Sequence, residues 1–279
     1  MNKDNIDIFN DTLDFIASND VLSMGINQSI KMTKVYSPNE YPHIDESKQK
    51  DGKIIISRKR SFQAAMDKHR QYPNKRIGVL NFASATNPGG GVTHGSSAQE
   101  ESLCRCSTLY PVLTNDELFK KYYQPNRIKK DNLHDDAVIY TPDILICKND
   151  EKYPRRLTEK DFVTIDILSC AAPNLREKPN NMYNLDGDHK TTVTDEELYD
   201  IHLQRARHIL HIAKYHNIDI LILGAFGCGA FRNNPYVVAK AYRDVLKEFP
   251  NVFDIIEFAI YCSPYDSENY DAFCNIISE

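Results

Sequence analysis

Apolar positions along the chain follow two rhythms. Ile6, Phe9, Leu13 and Ile16 recur at helical spacing and predict an amphipathic first helix. Residues 30–36 and 54–57 read as strands, with a polar, proline-bearing loop between them. Ser61 is placed to cap a helix running to about His69, with Phe62, Ala65 and Met66 inward. Residues 77–83 are a short apolar run that stops at a glycine loop. That is the pattern of a buried strand delivering a binding loop at its C-terminal end. Helix is expected over 99–109, then strands over 137–140 and 144–147 flanking a turn at Thr141-Pro142-Asp143.

Phe162–Leu168 reads as another buried strand, and the polar stretch 174–193 as an exposed loop. Thr194 with Glu197 forms a capping box, and the helix it starts carries Leu198, Ile201, Arg205, Ile209 and Ile212 on one side. Residues 218–223 read as strand, and Pro235 opens a helix at its first turn. Ile255–Cys262 is a last core strand and 267–277 a last helix. Strands alternating with helices from residue 77 onward indicate an α/β sandwich.

Composition narrows the function classes. The 279 residues suffice for a core without disulfides. Thirty-four basic against 39 acidic residues leave a net charge of −5, which argues against a duplex-binding groove but leaves room for a local anion site. The seven cysteines, at 104, 106, 147, 170, 228, 262 and 274, include no CxxC pair and are expected to be reduced and mostly buried. No apolar leader or membrane-spanning run is visible, so a cytoplasmic protein without membrane association is expected.

Two glycine-rich loops, Gly89–Gly91 and Gly224–Gly229, each follow an apolar strand and precede a helical pattern. Loops so placed can grip a diphosphate through main-chain N–H groups. Neither carries GxxxxGK[ST] or GxGxxG, which excludes an ordinary P-loop and argues against a dinucleotide site. Seven residues after the first loop stand Gln99, Glu100 and Glu101. Adjacent carboxyls repel each other's charge, which helps one stay protonated to serve a glycosidic bond.

Other groups attract less chemistry. His202, His208, His211 and His216 are expected on a partly exposed structural face, and no metal site is expected. Cys104, Cys106 and Cys228 read as packing residues, Asp186-Gly187-Asp188-His189 as an exposed turn rather than a calcium loop, and His94 equally as positioning or exposed.

The run Asn87-Pro88-Gly89-Gly90-Gly91, with Gln99-Glu100-Glu101 seven residues on, resembles the signature of poly(ADP-ribose) glycohydrolases, in particular the smaller bacterial type. Gly224–Pro235, Ser169–Asn174 and Gln204–Ala206 are also similar to that family, over about residues 55–260. The resemblance implies a three-layer α/β/α macrodomain with a mixed central sheet at 56–279, and an N-terminal accessory extension at 1–55 packed on it. It implies Glu101 as general acid then base, and Glu100 as the group that positions the scissile ribose–ribose bond. Asn87, Gly89, Gly90, Gly91 and Gln99 would lie at the reacting ribose and diphosphate, Gly227, Cys228 and Gly229 would wrap the diphosphate, and Phe231 would pack on the adenosine side. No cofactor or metal is implied. The partner would be ADP-ribose or its polymer on modified proteins, cut from the end. A mono-ADP-ribosyl hydrolase and a non-catalytic ADP-ribose reader remain alternatives, although a reader has no need of Gln99-Glu100-Glu101.

Overall fold

A computed structural model describes residues 2–44, 50–181, 185–262 and 265–277. Among them, seven strands form one mixed sheet: β1 (Lys34–Tyr36), β2 (Lys53–Ser57), β3 (Ile77–Phe82), β4 (Val138–Ile146), β5 (Val163–Cys170), β6 (Ile220–Leu223) and β7 (Ile255–Ala259). Their order is β1-β4-β5-β3-β6-β7-β2. The run from β5 to β2 is parallel, while β4 lies antiparallel to β5, and β1 antiparallel to β4. Parallel strands are buried on both faces, which is why β3 and β6 read as apolar runs, broken only by Asn81 in β3.

Successive strand residues point to opposite faces and so divide the interior into two cores. Val79, Ile139, Ile167, Ile220 and Ile222 face α1 (Lys3–Ala17), α3 (Ser61–Gln71), α4 (Gln99–Cys106) and α5 (Leu109–Leu113), with α2 (Asp20–Met32) beside them. Beyond α5, α6 (Asp116–Leu118) and α7 (Gln124–Lys129) flank one π-helical turn. Leu80, Val138, Leu168, Leu221 and Phe258 face α8 (Asp195–Tyr215), α9 (Pro235–Leu246) and α10 (Glu268–Ile277). Helices therefore cover both faces of the sheet. Among the described residues no helix is long and apolar enough to cross a membrane.

Local signals explain most element ends. Thr194 and Glu197 make the reciprocal bonds of a capping box at α8, and Asn234 caps α9 ahead of Pro235. At α3 the cap is Arg60 rather than Ser61; Gln63 Oε1 accepts the Arg60 N–H at 3.1 Å, and Ser61 is the first helical residue.

Three expectations are corrected. Residues 30–32 close α2, a helix capped by Asn19 and seated through Leu22, Ile26 and Ile30, and strand begins only at Lys34. The apparent turn at 141–143 is a bulge within a single strand, because β5 continues opposite both halves; Asp143 takes φ 57° and donates its N–H to Asp166 Oδ1 at 3.2 Å. The polar stretch after residue 174 is not uniformly exposed, since Asn174 and Asp186 are fully buried.

The first helix is seated from three sides. Thr12 Oγ1 donates to Arg105 O at the end of α4 (2.6 Å), and Asn5 Nδ2 donates to Gly95 O (3.0 Å). Lys148 Nζ donates to Ile8 O (2.9 Å) and pairs with Asp11 (2.6 Å).

Candidate active site

The C-terminal ends of the parallel strands open into one cleft of about 700 Å³, where Phe82, Ala172, Ala225 and Ala259 form its floor. This is where an open parallel sheet presents its loops. α4 enters the cleft by its N-terminus, which brings three consecutive polar residues to the end of β3.

Gln99 splices helix to strand. Its Oε1 accepts the Phe82 N–H at 2.9 Å, and its Nε2 donates to Leu80 O at 2.7 Å and Ser61 Oγ at 3.0 Å. Glu100 is buried and accepts from Asn81 Nδ2 (3.3 Å) and the Ser84 N–H (2.8 Å). Burial, and then the neighbouring Glu101 charge, push the Glu100 carboxyl well upward, while those N–H donors pull it back. Glu101 Oε1 accepts the Gly91 N–H at 2.8 Å. Its Oε2 is buried without a hydrogen-bond partner.

The close approach of loop and carboxyls depends on Gly90. Its φ is +59°, and a Cβ there would stand 2.5 Å from Glu101 Oε1 and 3.1 Å from Glu100 Oε2. No L side chain fits that space. Across the cleft, Gly227 takes φ +79° with Ala172 behind it, whereas a Cβ on Gly229 would enter open space.

The cleft thus brings together Gly90, Gly91, Gln99, Glu100, Glu101, Gly227, Gly229 and Phe231. Asn87, Gly89 and Cys228 lie behind its wall. The Asn87 amide bonds Gly90 O, Gly89 packs on Tyr110, and Cys228 Sγ donates to Phe226 O (3.6 Å). Burial pushes the Cys228 thiol up, and likewise Cys104 and Cys106 beside the glutamates. His94 is not in the lining; its Nδ1 meets Thr93 Oγ1 at 2.8 Å.

Two further expectations change here. His202 and His208 are fully buried rather than partly exposed, and burial drops the His202 imidazole to about 3 beside Asn233 Oδ1 (2.7 Å). Asp186, read as part of an exposed turn, bonds the Asn174 amide and Thr86 Oγ1 (3.4 Å). Among the described residues, no group of three or more His, Cys, Asp or Glu is placed to hold a metal.

The sequence reading missed Asp150, Arg60, Tyr261 and Arg176, all of which line the cleft. Asp150 accepts the Phe62 N–H (3.2 Å) and Ser102 Oγ–H (3.0 Å), so it ties α3 to α4. Arg60 lies over the Tyr261 ring at 4.2 Å. A basic residue beside a predicted helix start was the one signal available for Arg60, and nothing local marked the others.

Paired carboxyls at the mouth of a helix-covered mixed sheet, facing glycine turns, fit a hydrolase of α/β architecture acting on glycosidic bonds. Residues 9–149 match the family described as the microbial-type PARG catalytic domain, and the chain belongs to that family of poly(ADP-ribose) glycohydrolases. The match begins inside the segment expected to resemble the family least. The chain is similar to the Thermomonospora curvata poly(ADP-ribose) glycohydrolase bound to the inhibitor ADP-HPD, with 25% identity over 97% of this chain and 98% of that one and a TM-score of 0.78. It is also similar to the Deinococcus radiodurans enzyme in complex with ADP-ribose, with 28% identity over 91% of this chain and 97% of that one and a TM-score of 0.75. Comparison with curated proteins gives no match.

Proposed function

We propose that the cleft hydrolyses the 1″–2′ ribose–ribose bond of poly(ADP-ribose) by carboxyl acid–base chemistry at Glu101. The observation that carries this reading is the asymmetry of that carboxyl: Oε1 is held by the Gly91 N–H, and Oε2 is buried in the cleft wall with no partner. A proton on Oε2 meets no competing donor and is free to pass to the leaving oxygen as the C1″–O bond breaks. The resulting carboxylate takes a proton from the water that adds to C1″, which restores the acid and releases ADP-ribose.

Glu100, anchored by Asn81 and Ser84, orients the ribose beside the carboxyl that transfers the proton. Gly90 and Gly91 lie against the reacting ribose, with Asn87 and Gly89 shaping their turn from behind. Gln99 acts through the strand end it fixes. Gly227 and Gly229 wrap the diphosphate, Cys228 holds that turn, and Phe231 closes the adenosine side, which favours cutting from the polymer's end. Residues 56–279 carry the catalytic machinery, with 1–55 as an accessory extension that is braced on it and lends β1 and the first half of β2 to the shared sheet. The substrate is polymer carried on modified proteins. The seven cysteines are free, in keeping with a reducing cytoplasm.

The test incubates the protein with poly(ADP-ribosyl)ated and mono(ADP-ribosyl)ated acceptors. ADP-ribose released from the polymer alone supports the reading; release from the mono-modified acceptor alone overturns it.

A further inference from the structure

Arg176 lines the cleft and has no part in the acid–base chemistry at Glu101. It follows β5 on a segment stitched to the second glycine turn. Leu175 N–H donates to Phe231 O (3.0 Å), Asn233 Nδ2 to Pro173 O (2.7 Å), and Asn233 N–H to Gly227 O (3.1 Å). The guanidinium lies over the Phe231 ring, 5.5 Å from its centroid.

Its head is fixed before any ligand arrives. Nε donates to Asn174 Oδ1 (3.0 Å), Nη2 donates to Pro179 O (2.5 Å), and the Asp186 carboxylate lies 3.9 Å away. Asn174 is itself fully buried, held by Asn132 O (2.7 Å) and by Asp186. Nη1 has no acceptor among the described residues, and the side chain keeps 25% of its surface open.

Charge balance asks for a cation here. Glu100, Glu101 and Asp150 all line the cleft, and an anionic diphosphate entering beside them needs an opposing charge. Of the other two lining cations, Lys59 pairs with Asp67 at 2.6 Å and Arg60 lies on Tyr261 at the start of α3. Neither is joined to the second glycine turn. Taking the cleft as the ADP-ribose site proposed above, we infer that Arg176 binds the pyrophosphate, offering its remaining N–H donors from the side facing the Gly227–Gly229 turn. A planar fork held on its far side by Asn174 Oδ1 and Pro179 O, with the Asp186 carboxylate 3.9 Å behind, loses little freedom on binding and suits phosphate oxygens.

The experiment measures ADP-ribose and adenosine affinity by calorimetry at low and high salt for the parent, Arg176→Gln and Arg176→Lys, with thermal melts of each. Arg176→Gln is expected to weaken ADP-ribose binding by roughly 10- to 100-fold and to flatten its salt dependence, with adenosine affinity unchanged. Arg176→Lys should fall between, since the charge survives without the fork. An ADP-ribose affinity within about twofold of the parent would overturn the proposal, as would an equal loss for adenosine, which would signal a deformed pocket. A parent that binds ADP-ribose yet leaves polymer intact would sink the hydrolytic reading without touching the arginine result.

Discussion

The main-chain N–H of Gly91 donates to Oε1 of Glu101 at 2.8 Å, while Oε2 of the same carboxyl is buried without a partner. The backbone grip makes the two oxygens chemically unequal. One is an acceptor fixed in place by the loop; the other carries no hydrogen bond.

Glu101→Gln keeps an acceptor for Gly91 and the shape of the side chain but loses the transferable proton. Turnover on polymer should fall by roughly 10²- to 10⁴-fold with ADP-ribose affinity largely kept. Steady-state release of ADP-ribose, paired with calorimetry, reads both; a parental rate would remove Glu101 from the reaction.

Gly90→Ala forces a Cβ to within 2.5 Å of Glu101 Oε1 at a residue whose φ is +59°. A stability loss of about 1–3 kcal/mol is expected, together with slower turnover from a displaced carboxyl. Urea denaturation and initial rates on the same preparation would show whether the two fall together.

The two glycines of the second turn should respond differently. Gly229→Val sends its side chain into open cleft, so ADP-ribose binding should weaken while the melting temperature holds. Gly227→Val instead drives a Cβ to 2.7 Å from Ala172 Cβ at φ +79°, so the fold itself should lose stability. Equal melting curves for these two variants would contradict that division.

Acid should destabilise the protein through buried imidazoles. His202 and His134 both sit at about 3 against a free value of 6.5, so between those limits the unfolded chain binds protons that the folded one refuses. Their stabilising effect is complete above pH 6.5 and fades as pH falls toward 3, at up to about 1.4 kcal/mol per pH unit for each. Glu100 works in the opposite sense, because its raised carboxyl favours folding at the acid end. The difference between parent and His202→Asn therefore isolates the imidazole; identical pH–stability slopes by urea melts would refute it.

Thr12→Val removes the hydroxyl that donates to Arg105 O at 2.6 Å and keeps the side-chain volume. A loss of roughly 1–3 kcal/mol is expected, with ADP-ribose affinity unchanged. A weakened affinity would mean that α1 shapes the cleft as well as the fold.

Much of the architecture was legible because its signals are local. Buried parallel strands such as 77–82 and 220–223 are almost wholly apolar, with Asn81 the one polar residue between them, and Thr194–Glu197 carries its helix start in four residues. Gly89–Gly91 and Gln99-Glu100-Glu101 marked the cleft through their spacing and the family resemblance it carries. Helix α2 was hidden because Ile30, Thr33 and Val35 suit a strand as well as a helix end, and only the seat for Leu22 and Ile26 decides. Pro142-Asp143 mimicked a turn that β5 overrules. Arg176 was illegible for a deeper reason. Its placement rests on Asn174 and Asp186 being buried together, and pairing between polar residues 12 positions apart leaves no trace in hydrophobic rhythm.

The seating of α1 has a consequence for synthesis. Its partners lie 93 to 145 residues later in the chain, at Arg105, Lys148 and Arg156. A ribosome adding residues at cellular speed needs roughly five to thirty seconds to cover that stretch. For that interval α1 lacks the seat for Phe9, whose neighbours in the core come largely from later residues. Growing chains therefore offer a chaperone an apolar helix face until Lys148 and Arg156 have been made, and α4 gains the Thr12 bond only after α1 has folded back onto it.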